Sequence, residues 1–209
     1  MESWWPDWRG ATVVIAASGP SQRVEDLQFA RGRAPVVAIN NTWEIARWAD
    51  MLYFCDRSWW LCEEPGYGQH ALREFPGLLV TANSKIPEAH HLPIISVNDA
   101  LCTGSQFGGG GSSAFQALNI AVLWGADRIL LTGVDCQHPG DHHHGPHTQK
   151  NAAGTKPIAQ ARQQTVGIWL KSFGELAPLL KARGVEVINC SRVTALTAFP
   201  RMTIDKALV

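Results

Sequence analysis

The chain has 209 residues, 45% of them hydrophobic and 17% charged, enough to bury a full core and favouring one domain over two. Eighteen basic residues offset eighteen acidic ones, a balance that excludes a global positive field for nucleic acid or an anionic membrane surface while leaving a local basic groove allowed. No apolar run reaches the roughly 20 residues that span a bilayer, and the opening Met1-Glu2-Ser3-Trp4-Trp5-Pro6-Asp7-Trp8 lacks a basic end followed by an apolar stretch, so a cytoplasmic protein is expected.

After a tryptophan-rich segment over 1–10, the run Thr12-Val13-Val14-Ile15-Ala16-Ala17 reads as a buried strand that stops at Ser18-Gly19-Pro20-Ser21. A helix is predicted over 24–31. Val36-Val37-Ala38-Ile39 is a second strand ending at Asn40-Asn41, and Met51-Leu52-Tyr53-Phe54 a third ending at Cys55-Asp56. Further strands are expected over 78–81, 94–97, 128–135 and 185–190. Helices are expected over 112–124 and 158–183, the second interrupted at Gly167, Gly174 and Pro178. The alternation predicts a single Rossmann-like α/β domain, a mainly parallel sheet with helices on both faces, closed by a tail over 195–209. In such open sheets ligands bind beyond the carboxyl ends of the strands, so the polar strand ends are the first candidate site.

Several segments carry chemistry. Ser18-Gly19-Pro20-Ser21, between a strand and a helix, offers backbone N–H groups and hydroxyls to an anion; the alternative is an ordinary turn. Gly104-Ser105 and the glycines through Gly111, followed by Ser112-Ser113 at a helix start, form a second candidate cradle, against a flexible loop with a capping serine. The loop over 135–157 begins with Asp135 and gathers His138, His142, His143, His144 and His147 with Asp141. A histidine there can deprotonate an acceptor hydroxyl, or Asp135, His142, His144 and His147 can ligate a divalent metal, or the loop is simply solvated. His70, His90 and His91 read as surface or structural residues. Trp59-Trp60, just past a strand end, fits either the core or a ring that stacks on a base or sugar. Trp4, Trp5 and Trp8 form an apolar patch that docks on the body or makes a homo-oligomer contact. Five cysteines (Cys55, Cys62, Cys102, Cys136, Cys190) suggest reduced thiols, with Cys55 and Cys190 expected in the core.

The order of these motifs, from Ala17-Ser18-Gly19-Pro20-Ser21 through Asn40-Asn41, Ser112-Ser113, Leu131-Thr132-Gly133-Val134-Asp135, Gly145-Pro146-His147 and Ile188-Asn189-Cys190-Ser191, resembles a group of phage and prophage proteins labelled norphogenetic protein. It is more distantly similar to bacterial CMP-sialic-acid-dependent sialyltransferases and to the family that includes archaeal-type 6-hydroxymethylpterin pyrophosphokinases. The sialyltransferase resemblance implies that Ser18, Gly19, Pro20, Ser21, Asn40, Asn41, Ser112 and Ser113 hold a nucleotide, and that His147 is a general base. Where those enzymes carry tyrosines that steady the leaving phosphate, this chain has Gln137 and histidines. The expectation is therefore a nucleotide-dependent, glycosyltransferase-like enzyme using a small-molecule nucleotide or nucleotide-sugar donor. Asp56 and Gly111 would add to the nucleotide site, and His147 or His144 would act with Asp135. A metal-dependent pyrophosphokinase and a non-catalytic nucleotide-binding protein are the alternatives.

Overall fold

The computed structural model describes residues 3–94, 106–137, 142–145 and 163–209. Seven parallel strands make one sheet: β1 (Thr12–Ala16), β2 (Val36–Ile39), β3 (Met51–Phe54), β4 (Leu78–Thr81), β5 (His90–His91), β6 (Arg128–Thr132) and β7 (Glu186–Asn189). Their spatial order is β5-β4-β3-β2-β1-β6-β7. The chain thus builds outward from β1 to β5 on one side and then returns to place β6 on the other side of β1.

Side chains of the central strands alternate between two cores, as the period of two requires. Val13, Ile15, Val37, Ile39, Ile129 and Leu131 face α4 (Ser113–Leu123) and α5 (Gln163–Ala182). Val14, Ala16, Val36, Ala38 and Leu130 face the other layer, made by α1 (Val24–Ala30), α2 (Arg57–Trp60), α3 (Gly68–Glu74) and α6 (Ile204–Ala207). Every residue of β2 and β3 is buried, which is why these strands read as unbroken apolar runs. The architecture is the expected single Rossmann-like α/β domain.

Two elements differ from the sequence reading, the edge strand His90–His91 and the unbroken α5. Of the strand expected over 94–97, Ile94 bridges Phe107 and the rest lies outside the described residues, while the described sheet ends at His90–His91, a pair with no apolar signal that registers on Val80 and Thr81. Helix α5 runs unbroken through Pro178, because Val166, Phe173, Leu176 and Leu180 are buried along one side and packing outweighs local propensity. The tail over 195–209 folds onto the body: Asn189 N–H donates to Pro200 O at 2.8 Å, and Ile204 and Ala207 are buried.

The aromatic residues are mostly structural. Trp59 and Trp60 are buried, Trp60 stacked on Phe54 at 4.7 Å, so neither offers a face to a ligand. The N-terminal tryptophans dock on the body around Trp124, with Trp4 stacked on His90 at 4.3 Å. His70 accepts from Gly66 N–H and lies 2.7 Å from Glu74, a structural role. No described helix is long and apolar enough to cross a membrane.

Candidate functional site

A cleft of about 220 Å³ opens where β1 and β6 lie side by side. This is the point at which the strand order reverses, so the connections leaving the two strands part in opposite directions and leave a crevice. Beyond the last paired residues the two loops stay in contact: Ala17 N–H donates to Thr132 O, and Gly19 N–H to Gly133 O, both at 2.9 Å. The contact demands glycine. A Cβ on Gly19 would sit 2.4 Å from Gly133 O, and one on Gly133, whose φ is +64°, would sit 2.4 Å from Ala17 O.

Asp135 locks this junction. Its carboxylate accepts the Ser21 backbone N–H at 2.7 Å and the Ser21 hydroxyl at 2.5 Å, and both residues are buried. Asp135 and Ser18, Gly19 and Pro20 line the cleft as expected from the sequence, whereas the Ser21 side chain is turned to Asp135. The loop after β7 braces the same place: Ser191 Oγ accepts from Val134 N–H at 2.9 Å, Thr194 Oγ1 donates to Val134 O at 2.7 Å, and Ala195 N–H donates to Asp135 O at 2.7 Å. Sequence reading gave Ser191 and Thr194 no part in the site, since nothing local marks residues that act through another loop's backbone.

Two described non-glycine residues have positive φ, Asn40 at 48° and Cys136 at 50°, and both line the cleft. Such strain persists where surrounding structure holds it and concentrates at functional sites. Asn40 Oδ1 is buried with no hydrogen-bond partner among the described residues, an acceptor left for something else. The neighbouring Asn41 does not reach the cleft: its Nδ2 donates to Gly66 O at 3.0 Å, and its Oδ1 accepts from Trp59 Nε1 at 2.7 Å. Asp56, just past the end of β3, also lines the cleft; part of its surface is accessible, but loss of solvation around the carboxylate raises its pKa. Burial, assisted by Asp135, pushes the Cys136 thiol up to about 12, so it is a poor nucleophile.

The far wall is the start of α4. Ser112 Oγ accepts from Phe115 N–H at 3.2 Å and so caps the helix. The amides of Ser113 and Ala114 have no intrahelical carbonyl to bond, and both residues line the cleft. Gly111, with φ +77°, precedes them and gives its carbonyl to Trp169 Nε1 at 2.6 Å, which ties α5 to this turn. Trp169 lines the cleft too. Among the described residues it is the tryptophan of the lining, and its position on a helix expected to be broken hid it from the sequence.

Of the histidine segment, residues 142–145 are described, while His138, Asp141 and His147 lie outside the described residues, as do Gly104, Ser105 and Cys102. The segment is hung over the first turn: His143 N–H donates to Ser18 O at 2.9 Å, and His142 Nδ1 lies 3.3 Å from Ser18 Oγ. His142 lines the cleft and His144 stacks on it at 5.0 Å. Burial first, then the neighbouring His142 and Arg23, lower the His143 pKa to about 4, so this imidazole is neutral near pH 7. Among the described residues no three His, Cys, Asp or Glu side chains gather as a metal-ligand group.

The described lining carries two carboxylates, Asp56 and Asp135, and no Lys or Arg. An anion in this cleft is therefore met by backbone amides and a helix terminus rather than by side-chain cations. Comparison of the chain with protein-family models, curated proteins and solved structures gives no match.

Proposed function

We propose that the protein is a nucleotide-dependent transferase of the glycosyltransferase-like type, with its donor bound in the β1/β6 cleft. The observation that carries this reading is that Ser113 and Ala114, whose amides have no intrahelical acceptor and no hydrogen bond among the described residues, line a crevice at the reversal of strand order. The donor's phosphate sits on those amides and on the turn of Ser18, Gly19 and Pro20. Asn40 Oδ1 and the Asp56 carboxylate accept hydrogen bonds from the hydroxyl or amino groups of the nucleoside.

His142, the described imidazole at the cleft, is assigned as general base, with His144 stacked behind it and His147 four residues from His143 along the chain. In the transfer the acceptor O–H gives its proton to the imidazole, and the acceptor oxygen bonds to the transferred carbon. The bond from that carbon to the phosphate oxygen breaks, and the nucleotide leaves with the electron pair onto the α4 amides. Asp135 positions the Ser18–Ser21 turn rather than reacting, since Ser21 occupies its carboxylate.

The test is a thermal-shift screen of the purified protein against CMP, UDP, GDP, ADP, ATP and CMP-sialic acid, each with and without Mg²⁺, Mn²⁺ or Zn²⁺. Saturation at about 100 times the dissociation constant stabilises by roughly 2.7 kcal/mol. A metal-independent shift with a nucleotide or nucleotide sugar supports the proposal. A shift that needs metal redirects it to the pyrophosphokinase-like chemistry of the same scaffold, and no nucleotide shift overturns it.

A further inference from the structure

The cleft is divided chemically along the sheet. Its β2–β3 side holds the acceptors Asn40 and Asp56, while its α5 side holds the half-buried indole of Trp169. Between them lies the first turn of α4, where the Ser113 and Ala114 amides have no intrahelical acceptor. Trp169 is held at this place by its Nε1, which donates to Gly111 O at 2.6 Å, and the indole edge fills the space beside Gly111, within 3.7 Å of where a Cβ would be. Gly111 directly precedes the helix cap, so the indole stands beside the phosphate position, on the side away from Asn40 and Asp56.

We infer that Trp169 is the platform for the ring joined to the phosphate on the side opposite the nucleoside, the group to be transferred, and that the donor is therefore a nucleotide sugar. This rests on the proposed nucleotide site and deepens it. A nucleoside directs its amino and hydroxyl groups at Asn40 and Asp56, where acceptors wait. The ring on the other side of the phosphate meets an apolar face whose single polar atom is already engaged, which suits the C–H face of a pyranose. Ile168, 55% exposed and beside Trp169, extends the same apolar surface outward for the ring's far edge.

The experiment is calorimetric titration of the full chain and its Trp169→Phe and Trp169→Leu variants, each first checked for wild-type melting. The ligands are CMP, UDP and GDP, each paired with a sugar conjugate: CMP-sialic acid, UDP-glucose and GDP-mannose. For the pair that binds, Trp169→Leu is expected to lose about tenfold in affinity for the nucleotide sugar and less than about twofold for the bare nucleotide. Trp169→Phe, which keeps a ring but not the Gly111 hydrogen bond, is expected to retain most of the sugar affinity. Equal loss for both ligands, or no loss for either, overturns the assignment while leaving the nucleotide site standing. If no nucleotide or conjugate binds the wild-type chain, the nucleotide reading itself fails and the platform with it.

Discussion

The carboxylate of Asp135 holds Ser21 by two hydrogen bonds, one to its backbone N–H and one to its hydroxyl, across 114 residues of sequence. A residue just past the end of β6 thereby ties down the turn that leaves β1, beside the backbone bonds Ala17 N–H to Thr132 O and Gly19 N–H to Gly133 O. Replacing Asp135 with Ala strands a buried amide and a buried hydroxyl and is expected to cost about 2 kcal/mol, or roughly 4–8 °C in Tm for a chain of this size. Ser21→Ala removes the hydroxyl bond alone and is expected to cost about 1 kcal/mol. Thermal denaturation of both variants checks the order, and an Asp135→Ala protein as stable as wild type would show that the tie contributes nothing.

Asn40 separates stability from binding. At φ 48° a glycine takes the same backbone conformation without strain, so Asn40→Gly is expected to melt within about 1 kcal/mol of wild type. The variant loses the buried Oδ1, and its nucleotide affinity is expected to fall by about tenfold. Calorimetry alongside melting reads the two effects separately, and unchanged affinity would remove Asn40 from the site.

Asp56 gives a pH signature whose sign follows from its raised pKa. The folded chain holds the Asp56 proton to higher pH than the unfolded chain, so ionisation of this group opposes folding as pH rises past the unfolded value, about 3.9. Asp56→Asn is expected to raise Tm at about pH 7, with the gain vanishing by about pH 3, and to weaken nucleotide binding at neutral pH. Melting curves across this range, wild type against variant, measure it; a gain that persists at low pH would assign the effect to packing instead.

Trp59 tests the opposite relationship. Its Nε1 satisfies the buried Oδ1 of Asn41, and neither residue lines the cleft. Trp59→Phe leaves that oxygen unpaired and is expected to lower stability by about 1–3 kcal/mol while nucleotide affinity stays within about twofold. A selective loss of affinity in a stably folded variant would return this tryptophan to the binding site.

The legible parts of the molecule are those whose signal is local. The four-residue apolar runs of β2 and β3 are buried on both faces, so composition alone marked them, and the polar ends at Ser18–Pro20, Asn40 and Asp56 sit in one cleft because parallel strands bring their carboxyl ends together. What sequence could not give depends on distant packing. His90–His91 is a strand because β4 recruits it, and α5 passes Pro178 because its buried side holds it to the sheet. Asn40 and Asn41 are indistinguishable in sequence, yet the turn after β2 aims one at the cleft and the other at Trp59. Likewise any of the nine tryptophans could have been the exposed platform, and only the fold separates Trp169 from the buried Trp59 and Trp60.

The central claim is that the start of α4 receives a nucleotide's phosphate in the β1/β6 cleft. The most direct measurement is amide chemical-shift mapping of the ¹⁵N-labelled chain titrated with CMP, UDP and ADP. The account requires saturable shifts, for at least one of them, that are largest at Ser113, Ala114 and Gly19. Saturable shifts centred elsewhere, with these three amides unmoved, would contradict it, as would the absence of any saturable shift with all three nucleotides.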